Sequence, residues 1–267
     1  MAQHPVQHSS SVGSPLTVYE DPATFRALFW TPPSAAPGAT LPVLIFLHGA
    51  KAAGHDVWGI LIKAHTGTPL VELHFGRAHP TLSGQFCVVG PQSPSPRWDD
   101  ANVAAFASHL IEHPPPGVSL DPSRVYLAGH SNGATAALNA GGLGLRIGGI
   151  PRPFAALVPV APGGCSQAER LKGVPLWLFH AVNDAVLPVR CADTIAAALH
   201  KVDGAQTDEL VRYTRYDEAP CPPGFPALAG HGSTIPAFAT EGIWDWLLSK
   251  RAAEPRACHG DDVDINS

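Results

Sequence analysis

Short, almost wholly apolar runs recur along the chain, set apart by polar stretches rich in Gly and Pro. Residues 41–47, 86–89, 125–128, 154–160 and 175–179 are runs of this kind. They are four to seven residues long and lack polar alternation, which predicts strands buried on both faces. Residues 211–217 have weaker strand character. Ahead of them, 16–20 and 25–30 flank Asp21-Pro22, a turn signal, and predict an opening antiparallel hairpin. Between these runs lie segments with helical character at 57–65, 69–75, 101–112 and 191–200. The 101–112 helix is expected to stop at Pro114-Pro115-Pro116-Gly117. A last helix is expected over 235–250, with Phe238, Ile243, Trp244 and Leu247 as its apolar face. Buried strands alternating with helices predict an α/β fold, a mostly parallel sheet with helices on both faces. There is no internal repeat, and no insertion after 154–160 is long enough for a separate lid domain. The expected organisation is one domain over 16–250, with a disordered N-terminus at 1–15 and a polar tail at 251–267.

Composition narrows the class. The chain has 267 residues, and 45% hydrophobic content is enough for a substantial core. The net charge of −5 is unclustered, so no nucleic-acid partner and no basic membrane-binding patch is expected. No apolar run approaches the ~20 residues of a membrane span. Residues 1–14 are polar and lack an apolar signal core, so a cytoplasmic location is expected. The five cysteines (Cys87, Cys165, Cys191, Cys221 and Cys258) are odd in number and contain no C-x-x-C, which points to dispersed free thiols. Fourteen histidines invite a metal site, but no H-E-x-x-H or other ligand spacing occurs, so no metal or other cofactor is expected.

The candidate chemistry centres on residues 125–138, Val-Tyr-Leu-Ala-Gly-His-Ser-Asn-Gly-Ala-Thr-Ala-Ala-Leu. A buried strand runs into Gly129-His130-Ser131-Asn132-Gly133, a G-x-S-x-G, and then into small helix-forming residues. This is the strand–turn–helix setting in which a serine hydroxyl is presented above a sheet edge. The serine stands at a helix N-terminus, where free N–H groups and positive potential gather. The competing reading is a chance glycine-rich turn. A serine hydroxyl is a poor nucleophile near neutral pH and needs a base, which a histidine with its carboxylate supplies. On such a sheet the chain order is Ser, then Asp or Glu, then His. Asp184 follows the 175–179 strand, and His231 sits between glycines before the last helix. Asp193, Asp203, Asp208 and Asp217 compete for the first role. Among these only Asp217 also closes a strand-like run. His180 and His200 compete for the second, but His180 precedes Asp184 and His200 falls in a helical pattern. The N–H groups of Asn132 and of Ala50, after the 41–47 strand, are candidate oxyanion donors. His48 is read as holding its loop, and His130 as a support beside Ser131. Trp58, Trp98, Val186 and Leu187 are candidate pocket residues, equally readable as core packing.

With these residues in place, the chain resembles the α/β-hydrolase superfamily. It is most similar to lidless esterases grouped with predicted peptidases, polyhydroxybutyrate depolymerase-like esterases, dienelactone hydrolases and the phospholipase/carboxylesterase branch. The resemblance is carried by Leu-His-Gly-Ala at 47–50, Val-Val-Gly-Pro-Gln at 88–92, and Asp-Pro-Ser-Arg-Val-Tyr-Leu-Ala-Gly-His-Ser-Asn-Gly at 121–133. Pro-Leu-Trp-Leu-Phe-His with Asp184 at 175–184, and Ile-Trp-Asp-Trp-Leu-Leu at 243–248, add to it. It spans about residues 16 to 250 and implies hydrolysis of small carboxylic esters through Ser131, Asp184 and His231. The chain departs from its relatives at Lys51-Ala52-Ala53-Gly54 and at Gly232-Ser233-Thr234, two loops expected to border the pocket. These departures bear on the substrate more than on the reaction class. A serine peptidase or thioesterase with the same machinery, and a non-catalytic ligand-binding protein of the same fold, are the alternatives. Oligomeric state is left open.

Overall fold

The computed structural model describes residues 14–252, apart from 64–66, 144–145, 148–149, 152–153, 166–167, 205–206 and 223. The tails expected at 1–15 and 251–267, and Cys258, lie outside the described residues save for the innermost two positions of each tail. The chain opens with the expected hairpin: β1 (Thr17–Glu20) and β2 (Arg26–Trp30) pair antiparallel. Asp21 shapes the turn, its Oδ1 accepting the Ala23 N–H at 2.8 Å. Next come β3 (Thr40–Leu47), α1 (Gly59–Lys63), α2 (Pro69–His74), α3 (Pro80–Gln85), β4 (Cys87–Pro91), α4 (Asp100–Glu112), β5 (Ser119–His130) and α5 (Asn132–Gly141). A two-stranded ribbon, β6 (Arg146–Ile147) and β7 (Ile150–Pro151), precedes β8 (Phe154–Val160) and β9 (Leu176–Ala181). The chain closes with α6 (Arg190–Asp203), α7 (Thr207–Leu210), β10 (Val211–Tyr216), α8 (Thr234–Phe238) and α9 (Ile243–Leu248).

Eight strands form one sheet in the order β1-β2-β4-β3-β5-β8-β9-β10. The pairs β1–β2 and β2–β4 are antiparallel, and every pair from β4 to β10 is parallel. Strand residues point alternately to two cores. Leu44, Phe46, Val88 and Tyr126 pack with Ile60, Leu70, Leu82, Ala237 and Trp244 on one face. Val43, Ile45, Leu47, Val89 and Leu127 pack with Phe106, Ala137 and Ile195 on the other. Each fully buried Leu, Ile or Phe contributes about 1.5–3 kcal/mol. The central strands are therefore rigid, and the loops at their carboxyl ends inherit that rigidity.

Beyond the β6–β7 ribbon and α7, which the sequence reading did not anticipate, three elements differ from it. Helix α3 was not anticipated, although Pro80 stands at its first turn and His79 Nδ1 accepts the Thr81 N–H at 3.2 Å, a local start signal. Strand β5 begins at Ser119 rather than at 125, because Ser119 and Leu120 pair with Thr40 and Leu41. The expected continuous helix over 235–250 is two helices, α8 and α9. Gly242 sits at φ 76°, a left-handed conformation that an α-helix does not pass through. Thr240 Oγ1 donates to the Pro236 carbonyl at 2.9 Å and also meets the Tyr216 hydroxyl at 3.2 Å, anchoring the break.

Candidate active site

Strand β5 is buried from Val125 to His130 and ends in a sharp turn at Ser131. Ser131 has φ 57° and ψ −120°, one of two non-glycine residues with positive φ among those described. Holding a non-glycine residue there costs on the order of 1–3 kcal/mol. The surrounding hydrogen bonds hold it. Ser131 N donates to Val160 O of β8 at 2.9 Å, while Ser131 O accepts from Ala134 N at 3.0 Å and Thr135 N at 3.1 Å to start α5. The two glycines of the motif are required by close approach. A Cβ on Gly129 would run into the Gly133 carbonyl, and one on Gly133 into the Leu47 carbonyl of β3. Asn132 opens α5, so its N–H belongs to the first helical donors, which have no intrahelical acceptor. Its side chain is held away, Nδ2 donating to Pro96 O at 2.9 Å.

The loop after β3 passes directly over this turn. A Cβ on Gly49 would stand 3.4 Å from Ser131 Cβ and 3.3 Å from His130 Nδ1. Ala50 then opens a short 3-10 turn, Ala50–Ala52. His48 holds the loop as the sequence suggests. Its Nδ1 donates to Gly49 O at 2.8 Å and its Nε2 accepts from Ser93 N at 3.0 Å, so the ring is neutral with its proton on Nδ1. Burial lowers the His48 pKa to about 4, and the nearby Lys63 charge pushes the same way, against the Gly49 bond. The loop is also tied to the segment after β4. Trp98 Nε1 donates to His48 O at 3.0 Å, Gln92 Nε2 to Ala52 O at 3.0 Å, and Gly54 N to Ser93 O at 3.0 Å.

Asp184 lies in the turn after β9, with its side chain wholly buried. Its Oδ2 accepts from His231 Nδ1 at 2.7 Å and lies 3.3 Å from His180 Nε2. Its Oδ1 accepts the N–H groups of Val186 at 2.8 Å and Leu187 at 2.9 Å. Burial alone would raise this carboxyl. The hydrogen bonds from His180, His231 and the backbone outweigh it and hold the group well below the usual carboxylate range. With its proton on Nδ1, His231 keeps Nε2 as an acceptor. His130 is a support as expected, its Nε2 donating to His231 O at 3.0 Å and its ring 4.6 Å from that of His231. Sequence order set His180 aside as a competitor. It is instead a fully buried partner of Asp184 that also donates from Nε2 to Leu187 O at 2.9 Å. Its place on a buried strand four residues before Asp184 was the available signal.

The Asp184 and His231 segments are clamped to each other by the Asn183 side-chain amide and by one main-chain bond. Asn183 Nδ2 donates to Ala219 O at 3.1 Å, Asn183 Oδ1 accepts from Ala219 N at 2.9 Å, and Ala185 N donates to Ala229 O at 3.0 Å.

Ser131 and His231 line one cavity of about 150 Å³, together with His48, Gly49, Ala50, His130 and Val186. Phe46, Lys51, Ala52, Lys63, Thr68 and Leu228 complete its wall; the 51–54 loop was expected to border the pocket, whereas Phe46, Lys63, Thr68 and Leu228 were not singled out. Of the four candidate pocket residues, only Val186 is in this lining. Trp58 packs against one core, and the Trp98 ring is tilted 4.7 Å from that of His48 and meets Phe25 edge-on at 5.4 Å. Leu187 donates its N–H to Asp184 and lays its side chain against Gly163. The described residues contain no group of three His, Cys, Asp or Glu placed to hold a metal ion, and no helix long and apolar enough to cross a membrane. Among the described residues, Cys87, Cys191 and Cys221 are free thiols.

No family model and no curated protein sequence matches the chain. Solved structures do. A thermostable esterase is 24% identical with a TM-score of 0.68, over 90% of this chain and 64% of its own. Thermogutta terrifontis esterase 2, phosphorylated by paraoxon, is 12% identical with a TM-score of 0.56, over 84% of this chain and 91% of its own. A puromycin-hydrolyzing peptidase of Mycobacterium tuberculosis is 17% identical with a TM-score of 0.59, over 91% of this chain and 40% of its own. This chain thus spans less than two thirds of the thermostable esterase and of the peptidase. At these identities the likeness is one of fold: the chain has the α/β-hydrolase fold.

Proposed function

We propose that the protein is a serine hydrolase of small carboxylic esters that works through an acyl-enzyme. The observation that carries this reading is the 2.7 Å contact between Asp184 Oδ2 and His231 Nδ1, with His231 opening on the cavity that Ser131 also lines. Ser131 Oγ attacks the ester carbonyl carbon, and His231 Nε2 takes the hydroxyl proton. Asp184 keeps the imidazole in the Nδ1–H tautomer and stabilises the imidazolium. The carbonyl oxygen becomes an oxyanion facing the N–H groups of Ala50 and Asn132, each worth about 2.7–4 kcal/mol in the transition state. Collapse breaks the bond to the alcohol, which leaves with the proton from His231. Water then attacks the acyl-enzyme with His231 again as base, releasing the acid and restoring the Ser131 hydroxyl. Esterases and peptidases both occur among the structural neighbours, which supports a hydrolase and leaves the choice between ester and peptide to the assay. A cavity near 150 Å³ is roughly the volume that accommodates a benzene ring, which favours a short acyl group.

The test is intact-protein mass spectrometry after treatment with a fluorophosphonate. A single adduct on the wild type, absent from Ser131→Ala, is expected, together with hydrolysis of short p-nitrophenyl esters that Ser131→Ala lacks. A wild type that takes no label and cleaves no ester rejects the reading and leaves a non-catalytic ligand-binding protein of this fold. Cleavage of thioesters or peptides in preference to oxygen esters would reassign the substrate class.

A further inference from the structure

The wall of the cavity is unbalanced in charge. The protein carries a net charge of −5 and only five lysines, yet two of them, Lys51 and Lys63, line this one cavity. No Asp or Glu is among the lining residues. Neither lysine is within ion-pair distance of a carboxylate among the described residues, whereas Arg26, Arg77, Arg124, Arg215 and Arg251 each have one. The one carboxylate of the site, Asp184, sits behind His231 with both oxygens occupied.

The two lysines that line the cavity stand on different elements. Lys51 stands in the turn that begins at Ala50, its Nζ 5.0 Å from the centre of the Phe225 ring in the loop that leads to His231. That cation–π contact holds the side chain across the gap between the two loops. Lys63, at the end of α1, lays its Nζ over Gly54, 3.5 Å from where a Cβ would stand, beside the Gln92 amide. Its charge is also felt at His48, on the loop against Ser131. A side chain at Gly54 would crowd both Lys63 and Gln92. Asp56 Oδ2 and Lys63 Nζ both come within 4 Å of where a Cβ on Gly59 would stand, but they form no ion pair. Two cations without an ion-pair partner among the described residues, at the wall of a small cavity, attract an anion and raise its local concentration.

We propose that Lys51 and Lys63 form an anion subsite, so that the preferred substrate is an ester carrying a carboxylate within a few bonds of the scissile carbonyl. This rests on the ester-hydrolase reading and narrows it. The carboxylate belongs either to the acyl group, as in a half ester of a dicarboxylic acid, or to the alcohol, as in an acylated hydroxy acid. Both satisfy the same two ammonium groups.

The experiment compares matched pairs by pH-stat: monoethyl glutarate against ethyl pentanoate for the acyl arm, and acetoxyacetate against ethyl acetate for the alcohol arm. The readout is the anionic-to-neutral ratio of kcat/KM in wild type, Lys51→Gln, Lys63→Gln, the double variant, Lys63→Arg and the non-cavity control Lys201→Gln. A ratio above one in at least one arm is expected. It should fall by about tenfold in the double variant, since each partly solvated charge contact is worth up to roughly fivefold. Lys63→Arg should retain it, Lys201→Gln should leave it unchanged, and added salt should compress it. A ratio unchanged by the double variant in both arms overturns the proposal while leaving ester hydrolysis intact. If no ester is cleaved and fluorophosphonate leaves no adduct, the hydrolase reading fails separately. Calorimetric binding of monoethyl glutarate to the folded protein then decides the subsite. Binding that the double variant lacks supports it, and absence of binding overturns it.

Discussion

Replacing Asp184 by asparagine exchanges an oxygen for an NH₂ group and forces a conflict that only a change of the His231 tautomer relieves. The amide oxygen has to take the place of Oδ1, because that position accepts the N–H groups of Val186 and Leu187 at 2.8 and 2.9 Å. The NH₂ group then stands where Oδ2 was, 2.7 Å from His231 Nδ1 and 3.3 Å from His180 Nε2, both of them donors. Flipping the amide sets it against two backbone donors instead. The remaining solution is for His231 to move its proton to Nε2, the nitrogen that has to receive the serine proton. A base in the wrong tautomer costs roughly 10⁴ in kcat, or about 5 kcal/mol of transition-state stabilisation. The assay is kcat on p-nitrophenyl butyrate, with the rate of fluorophosphonate labelling measured in parallel as a report on activation of Ser131. Near-UV circular dichroism checks that the variant is folded. A folded Asp184→Asn protein within tenfold of the wild type on both measures would refute the assignment of Asp184 and His231 as the working pair.

Other perturbations have equally direct outcomes. Gly133→Ala forces a methyl group into the Leu47 carbonyl and should destabilise the protein by about 3 kcal/mol or more, read from urea denaturation. His48 has its folded pKa lowered to about 4 against an unfolded value near ~6.5. The unfolded chain therefore binds more protons between these values, and stability present above pH ~6.5 is lost as pH falls toward 4, on the order of 3 kcal/mol in all. His48→Gln should flatten the stability profile across that window. Asp184, depressed in the folded state, contributes stability that is present above the ordinary carboxylate pKa of ~3.9 and is lost as pH falls below it, and Asp184→Asn should remove that dependence from acid titrations. His180→Leu strips one donor from a buried carboxylate and should cost about 1.5–3 kcal/mol in chemical denaturation. EDTA should leave ester hydrolysis unchanged.

The alternation of buried strands and helices was readable because parallel strands buried on both faces have to be apolar along their whole length. The elbow at Ser131 was readable for a different reason: Gly129 and Gly133 are demanded by backbone contacts, and such demands leave fixed letters. Asp184 and His231 followed from chain order at strand ends. Only part of the cavity wall was legible: Val186 and the 51–54 loop. Lys63 and Thr68 reach it from the α1–α2 region, whose docking depends on the whole sheet. Trp58 and Trp98 carry a large apolar surface that the core captured first. The break between α8 and α9 hinges on one left-handed glycine, and a periodic pattern of Phe238, Ile243, Trp244 and Leu247 conceals it. His180 shows the limit of order as a guide, since order excluded a role as base and said nothing of a side chain lying against the same carboxylate.

The clamp between the Asp184 turn and the loop before His231 separates two kinds of inheritance. Two of its three hydrogen bonds join the Asn183 amide to the main chain of Ala219, and the third joins Ala185 and Ala229 through backbone alone. Side chains of that loop such as Phe225, under Lys51, and Leu228, at the cavity, take no part in these bonds, so exchanging them should leave the Asp184–His231 contact in place. Under the proposed ester-hydrolase reading, substrate preference can drift by substitution in that loop while the Asp184–His231 contact is kept. A library confined to those positions, with Asn183 and Gly230 kept, is the natural place to redirect this scaffold to new esters.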